Sequence, residues 1–309
     1  MWNLFAHFGW HGVHPGKRHW WRLLALTALV LWCLAGRTGA VSPQSSSRLS
    51  AQESLPAEAA LDLRVLRSAY PDAVAGMERG ASGHLELVLK DGTRLVYDDG
   101  RARTPEEAEQ SPDIRTMLAQ VYPLGRVSKC SAYPEPGVDP GRHRVLAFFE
   151  ALYGHSEDEV RSHCRPVAFD GHAAPFNARH GAAAALERVW ARLAPQSARH
   201  PEWRHVLRPF GGTLCWRAIA DTERLSPHSF GMAVDLNPHL AYWLTEAHPE
   251  RVPGQVLAFP PQIVEAFEAE GFIWGGKWAA FDLMHFEYRP ELVLKARLLR
   301  DGTALPHKS

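Results

Sequence analysis

The sequence predicts an α+β fold, and three observations predict it. The first is helical periodicity in the first two thirds of the chain, clearest where Leu186, Val189, Trp190 and Leu193 follow the i, i+3, i+4, i+7 stripe. The second is a change of pattern at Gly212, after which the runs "GTLCWRAIA", "GMAVDLN" and "FDLMHFEY" read as short strands. The third is a chain of 309 residues that is 46% hydrophobic, enough to bury one substantial core. Helices followed by a small antiparallel sheet that bears the polar residues make an α+β arrangement.

Taken in order, the first forty residues contain no acid. Lys17, Arg18 and Arg22 precede the apolar run "LLALTALVLWCLAG" (Leu23–Gly36), and small residues end at Ala40. A basic flank, a short apolar run and a small-residue exit describe a secretory signal. The run is shorter than the roughly 20 residues a membrane span needs, although an uncleaved anchor at residues 23–36 remains the alternative. Either way the chain is expected to be exported, to the periplasm or cell envelope. Residues 41–60, rich in Ser, Ala, Pro and Gln, read as a flexible tether. A small N-terminal region over 61–125 follows, with a helix around Leu61–Ser68 and a hairpin about Asp91-Gly92 in "LELVLKDGTRLVYDDG". Ser111-Pro112 reads as the cap of a helix running to about Tyr122.

The main domain is expected over 126–300, with a tail at 301–309. Segments 141–154 and 177–194 look helical, and "PPQIVEAFEAEGF" forms a helix that stops near Gly271, a residue suited to a left-handed turn.

Charge narrows the function. The 34 basic and 34 acidic side chains balance, and removing residues 1–40, which hold Lys17, Arg18, Arg22 and Arg37, leaves a net charge of −4. That is no footprint for nucleic acid. Past the leader, Cys130, Cys164 and Cys215 permit one bridge and one spare thiol in an oxidising compartment, with Cys130–Cys164 the expected pair.

The chemistry gathers around "SPHSFGMAVDLNP" (226–238). His228 precedes a bend that Gly231 permits, Ala233 leaves space, and Asp235 follows. His285 lies in "DLMHFEY", embedded in apolar residues as a strand residue facing a site would be. Two imidazoles and one carboxylate, with a position left for water, form a catalytic zinc set. The spacing from His228 to Asp235 is not diagnostic alone.

"LSPHSFGMAVDLN" resembles the SxHxxGxAxD signature of the M15 metallopeptidases, the D-Ala-D-Ala carboxypeptidase and L-Ala-D-Glu endopeptidase group. "GFIWGGKWAAFDLMHFEYRPE" resembles the second half of that signature, and "DPGRHR" and "GGTLCWRAIADTERLS" are similar to blocks of its bacterial members. The resemblance covers residues 61–295. It implies a Hedgehog/D-Ala-D-Ala peptidase-like fold whose small sheet holds Zn2+ between His228, Asp235 and His285. It places Asp282 as the catalytic acid or base, where many relatives carry Glu. It makes Arg217 the substrate-polarising arginine, with Arg224 a competing candidate. The substrates it implies are peptidoglycan stem peptides, cut in carboxypeptidase or endopeptidase mode. In that chemistry zinc lowers the pKa of bound water from about 15.7 toward 7, and Asp282 accepts and later delivers the proton.

Weaker readings surround this set. Ser226 orients His228 or is a turn serine; Glu287, on the strand face of His285, fixes that ring or pairs elsewhere. Trp274 and Trp278 flank "GGK", either beside substrate or in the core. Cys215 has no ligand spacing, and Trp243 reads as core. Two other functions fit the same residues: a non-catalytic wall-binding module that keeps zinc, and, more remotely, a non-haem iron oxygenase, whose facial triad is also two histidines and a carboxylate.

Overall fold

The computed structural model describes residues 55–127, 137–219, 222, 224–240 and 252–302. Helix α1 (Ala57–Ala69) starts four residues earlier than expected, inside the stretch read as tether, because Ala59 joins Leu61, Val65 and Leu66 on one buried stripe. A three-stranded antiparallel meander follows: β1 (Val74–Arg79), β2 (Leu85–Leu89) and β3 (Arg94–Asp98). Between β2 and β3, Gly92 takes φ 92° and Asp91 Oδ1 accepts the Thr93 N–H at 2.8 Å.

The helix expected from Ser111 to about Tyr122 is a shorter one, and a further short helix precedes Ser111. α2 (Pro105–Gln110) opens with a capping box between Thr104 and Glu107. α3 (Ile114–Ala119) is capped by Asp113, whose carboxylate accepts the Thr116 N–H at 2.8 Å. Ser111 instead closes α2, its N–H bonded to Glu107 O.

Next come α4 (Leu146–Tyr153), α5 (Glu157–His163), the hairpin β4 (Cys164–Phe169) and β5 (His172–Asn177), α6 (Ala182–Ser197) and α7 (Arg204–Leu207). The β4–β5 hairpin departs from the helices-first order. Pro166 and Pro175 sit opposite each other in it and mask the strand signal, since proline demotes a strand. Its turn is nonetheless built for a hairpin: Asp170 and Gly171 both take positive φ, 43° and 84°. Val167, Phe169, Ala174 and Phe176 are buried, and α6 covers them with Leu186, Val189 and Leu193.

The last sheet is made of β6 (Ala233–Asp235), β7 (Phe272–Trp274) and β8 (His285–Tyr288), antiparallel in the order β6-β8-β7. Helices α8 (Val252–Ala258) and α9 (Pro261–Ala269) lead into β7, and α10 (Pro290–Arg300) follows β8. α9 ends at Ala269, two residues before Gly271 at φ 91°. Phe267 of α9 stacks on Phe286 of β8 with centroids 4.0 Å apart and meets Phe272 edge-on at 5.3 Å. Burying side chains of this size stabilises the sheet by about 1.5–3 kcal/mol each. The N-terminal helix is tied to α10 by buried contacts: Asp62 pairs with Lys295 at 2.6 Å, and Tyr70 donates to Glu291 at 2.6 Å.

The described part of the run "GTLCWRAIA", residues 212–219, is not a regular strand. It is extended and touches its neighbours through two isolated bridges, Gly212 to Asp235 and Ala218 to Leu225. Among the described residues Cys164 and Cys215 are free thiols, and Cys130, the expected partner of Cys164, lies outside the described residues. Cys164 opens β4 half-buried with its sulfur turned toward Gly231. Trp243 and the leader 1–40 also lie outside the described residues. Among the described residues no helix is long and apolar enough to cross a membrane.

Candidate metal centre and active site

The site grows from one turn and one ladder position. Pro227–Phe230 form a single 3-10 turn whose start is capped by Ser226: its hydroxyl accepts the His228 N–H at 3.4 Å. Gly231 closes the turn in the left-handed region at φ 62°. A Cβ there would lie 2.9 Å from Cys164 Sγ and 3.3 Å from Asn177 N, so only glycine fits both the dihedral and the space. The chain then enters β6, where Asp235 faces His285 of β8 directly across the ladder. Cross-strand partners stand about 4.5–5.5 Å apart, which sets the carboxylate beside the imidazole. Fifty residues of sequence separation vanish in one pair of strands.

The three groups converge. Their ligand atoms lie within 4.8 Å of one another. His228 Nε2 is 3.1 Å from Asp235 Oδ2 and 3.2 Å from His285 Nδ1, which is in turn 2.8 Å from Asp235 Oδ1. All three side chains are largely withdrawn from solvent.

The outer nitrogens decide what this cluster can hold. His228 Nδ1 faces the carbonyl oxygen of Thr213, which can only accept, so Nδ1 carries the proton. His285 Nε2 lies 3.0 Å from Glu287 Oε1, a carboxylate, so it donates there too. Both rings then turn a lone pair inward, toward each other and toward Asp235. Three acceptors in contact repel unless a cation lies among them, and second-sphere acceptors of this kind orient imidazole ligands in metal sites. The donor set therefore fits a divalent metal ion. Without metal, a proton must take its place. Burial alone would lower the basicity of His285, but its bonds to Asp235 and Glu287 prevail and push it up to about 10. Asp235, which burial would raise, is held well below the usual carboxylate range by His228 and His285.

Glu287 is fully buried, and burial would raise its pKa. Arg144, His285 and Arg289 overcome that and hold it well below the usual range. Arg144, from the stretch preceding α4, forms a short ion pair with it, and Arg289 Nη1 lies 3.6 Å away. Neither arginine stood out in the sequence, since each acts through Glu287 and neither spacing nor residue type marks such a role.

Asp282 sits on the loop between β7 and β8, its N–H bonded to Gly275 O at 3.0 Å. Its Oδ1 is buried with no hydrogen-bond partner among the described residues. Burial, opposed by His285, reinforced by Asp235 and opposed by His228, pushes its pKa up to about 6. A buried, proton-poised carboxyl with one oxygen unpartnered, beside the triad, is suited to exchange a proton with water.

Arg217 is exposed, and among the described residues its guanidinium bonds only Ala218 O, at 3.4 Å. Its backbone is pinned to the histidine turn: its N–H donates to Ser229 Oγ at 3.0 Å, and its carbonyl accepts from Ser229 Oγ and Ser226 N. Arg224 is engaged elsewhere, paired with Glu109 at 2.7 Å. Trp274 is buried and packs as core, with its indole N–H on Leu283 O and its ring 4.4 Å from that of Phe259. Trp278 walls the site, its ring 5.7 Å from that of His285 and its N–H on Pro140 O. Cys215 is exposed and outside the metal-ligand group. Sequence reasoning missed Thr213 and Ser229. Thr213 acts through its carbonyl, which leaves no trace in residue type, and Ser229 lies inside the motif yet outside its marked positions.

A second acidic group, Asp98, Asp99 and Asp113, is neutralised from within: Arg103 bonds Asp99 at 2.6 Å and Asp113 at 3.0 Å, and Arg115 bonds Asp98 at 3.3 Å.

Residues 220–288 match a family model of M15 peptidases described as D-alanyl-D-alanine carboxypeptidase. The match spans His228, Asp235, Asp282, His285 and Glu287; Arg217 lies just outside it. No curated protein and no solved structure gives a significant match.

Proposed function

We propose, for a chain whose residues 220–288 match a family model of M15 peptidases, that it is an exported zinc enzyme hydrolysing a peptide bond in the peptidoglycan stem. The observation that carries this reading is the pairing of three inward-turned ligands with the buried, unpartnered Oδ1 of Asp282. His228, Asp235 and His285 hold the ion, with Thr213 and Glu287 fixing the two rings. Bound Zn2+ supplies Lewis acidity, polarising the scissile carbonyl and making water acidic at neutral pH. Asp282 takes the proton of the attacking water and returns it to the departing amine. Arg217 sets a positive charge against the carbonyl oxygen as negative charge grows there. Residues 1–40 carry the export signal that brings enzyme and wall polymer together.

The stem peptide as substrate rests on the family description, and the cleaved bond follows from products. Purified sacculi are digested and the released fragments identified by mass. Loss of a terminal residue marks a carboxypeptidase, and an internal cut marks an endopeptidase. Asp282→Ala should keep metal and fold and lose turnover. Absence of turnover by the unaltered protein on every stem peptide would favour a wall-binding module. Stoichiometric iron in protein purified without added metal would favour the oxygenase.

A further inference from the structure

Arg217 stands on a limb that no regular strand secures, yet the limb is held. It pairs with the limb that leads into the histidine turn: Ile219 N–H donates to Arg224 O at 2.8 Å, and Ser226 N–H donates to Arg217 O at 3.0 Å. Arg224 is the handle of this pair. Its guanidinium crosses to α2, in the N-terminal region, where Nη1 donates to the backbone carbonyl of Glu109 and Nη2 to its carboxylate, both at 2.7 Å. That carbonyl is one of the last four of its helix, which the helix itself leaves without a donor. Two bonds from one planar fork to one residue fix its orientation as well as its distance.

Glu109 also accepts from Arg142 Nη2 at 3.0 Å, and two residues on, Arg144 grips Glu287 beneath His285. Burial would raise the Glu109 carboxyl, but Arg142 and Arg224 overcome it and hold it below its ordinary value. The same short stretch thus anchors the metal-facing strand and the arginine-bearing limb.

We infer that Glu109 is a positioning residue for the hydrolysis: by gripping Arg224 it fixes the limbs Arg217–Ile219 and Arg224–Ser226, and so presents Arg217 to the substrate carbonyl. The inference rests on the role proposed above for Arg217. It extends the working unit of the enzyme to α2, more than a hundred residues upstream of the matched segment.

The test uses the full chain and a stem-peptide substrate, with Glu109→Ala, Arg224→Ala, the double variant, Arg217→Ala and Glu109→Ala combined with Arg217→Ala. Small displacements of a catalytic group cost up to about 10² in rate, so Glu109→Ala should lower kcat about tenfold. KM should stay within about twofold, since the lost interaction belongs to the transition state. Metal content and Tm should not change, and the amides of Ile219 and Ser226 should exchange faster. The double variant should be no slower than Arg224→Ala, and Glu109→Ala should add nothing once Arg217 is gone. Glu109→Gln, which keeps the side-chain length and one acceptor, should give the same ranking with a smaller loss. Unaltered kcat in Glu109→Ala beside a slow Arg217→Ala would overturn the inference and leave the arginine's role intact, as would a full further loss on the Arg217→Ala background. Unaltered kcat in Arg217→Ala would overturn the role of the arginine itself, and this inference with it.

Discussion

His285 and Glu287 stand two residues apart on β8, and the ring of the first is held at both ends: Nε2 lies 3.0 Å from Glu287 Oε1 and Nδ1 lies 2.8 Å from Asp235 Oδ1. The carboxylate of Glu287 therefore selects which nitrogen is free to bind metal. Glu287→Gln keeps the shape and removes the charge that Arg144 and Arg289 neutralise. Metal affinity, read by competition with a chelator, should fall about 10- to 100-fold. The unpaired arginines should cost about 3–5 kcal/mol of unfolding free energy, the usual cost of breaking a buried pair. Undiminished affinity would show that the ring is oriented by something else.

Metal removal has a signed pH dependence. In the metal-free site the pKa of His285 is raised from 6.5 to about 10. A raised basic group contributes stability that is fully present below the lower value and lost as pH rises through the higher one. Chelated protein should therefore lose Tm between pH 7 and 10, while metal-loaded protein loses less. The same proton must leave when metal enters, so affinity should rise about tenfold per pH unit below pH 10, with about one proton released per ion. Calorimetry in buffers of different ionisation enthalpy counts that proton. A pH-independent affinity contradicts the tautomers assigned to the two rings.

Asp282 carries the opposite chemistry. Its pKa is raised from 3.8 to about 6, chiefly by burial. For this acid, burial costs nothing below pH 3.8 and costs up to about 3 kcal/mol once the carboxylate is ionised above pH 6. Asp282→Asn should stabilise the chelated protein at pH 8 and leave it unchanged near pH 3.5. It should also abolish hydrolysis, which in the unaltered enzyme rises with pH as Asp282 loses its proton. Equal stability of the two proteins at both pH values would mean that the carboxylate is not buried.

Gly231→Ala tests the turn. A methyl group there meets Cys164 Sγ and demands a left-handed dihedral. The dihedral alone costs about 1–2 kcal/mol, and the clash adds to it. Urea unfolding should show that loss, together with weaker metal binding because His228 and Asp235 flank the turn. Cys164→Ala in the same chain should recover the part due to the clash and none of the part due to φ. Full recovery would mean the dihedral is not strained.

Much of this site is legible from residue type. His228, Gly231 and Asp235 sit close together, and glycine marks the one position where the backbone must bend. His285 is recognisable because an imidazole between Met284 and Phe286 has no reason to be in an apolar strand unless it faces something polar. The α+β class follows from the change of periodicity near Gly212. What was hidden acts through main chain or through a second residue. Thr213 works by its carbonyl, Arg144 through Glu287, and Glu109 through Arg224, and none of these leaves a periodic or compositional signal. The β4–β5 hairpin was obscured by two prolines that tolerate each other as ladder partners. The irregular run 212–219 looked like a strand because its residues alternate. It pairs at isolated points because its carbonyls serve the histidine turn instead of a ladder.

The central claim is that one cation is shared by His228, Asp235 and His285. Anomalous diffraction at the zinc edge from crystals grown without added metal tests it most directly. A single peak bounded by His228 Nε2, His285 Nδ1 and the Asp235 carboxylate is the expected result. A metal-replete crystal with no peak there, or with its peak bounded by other side chains, would contradict it.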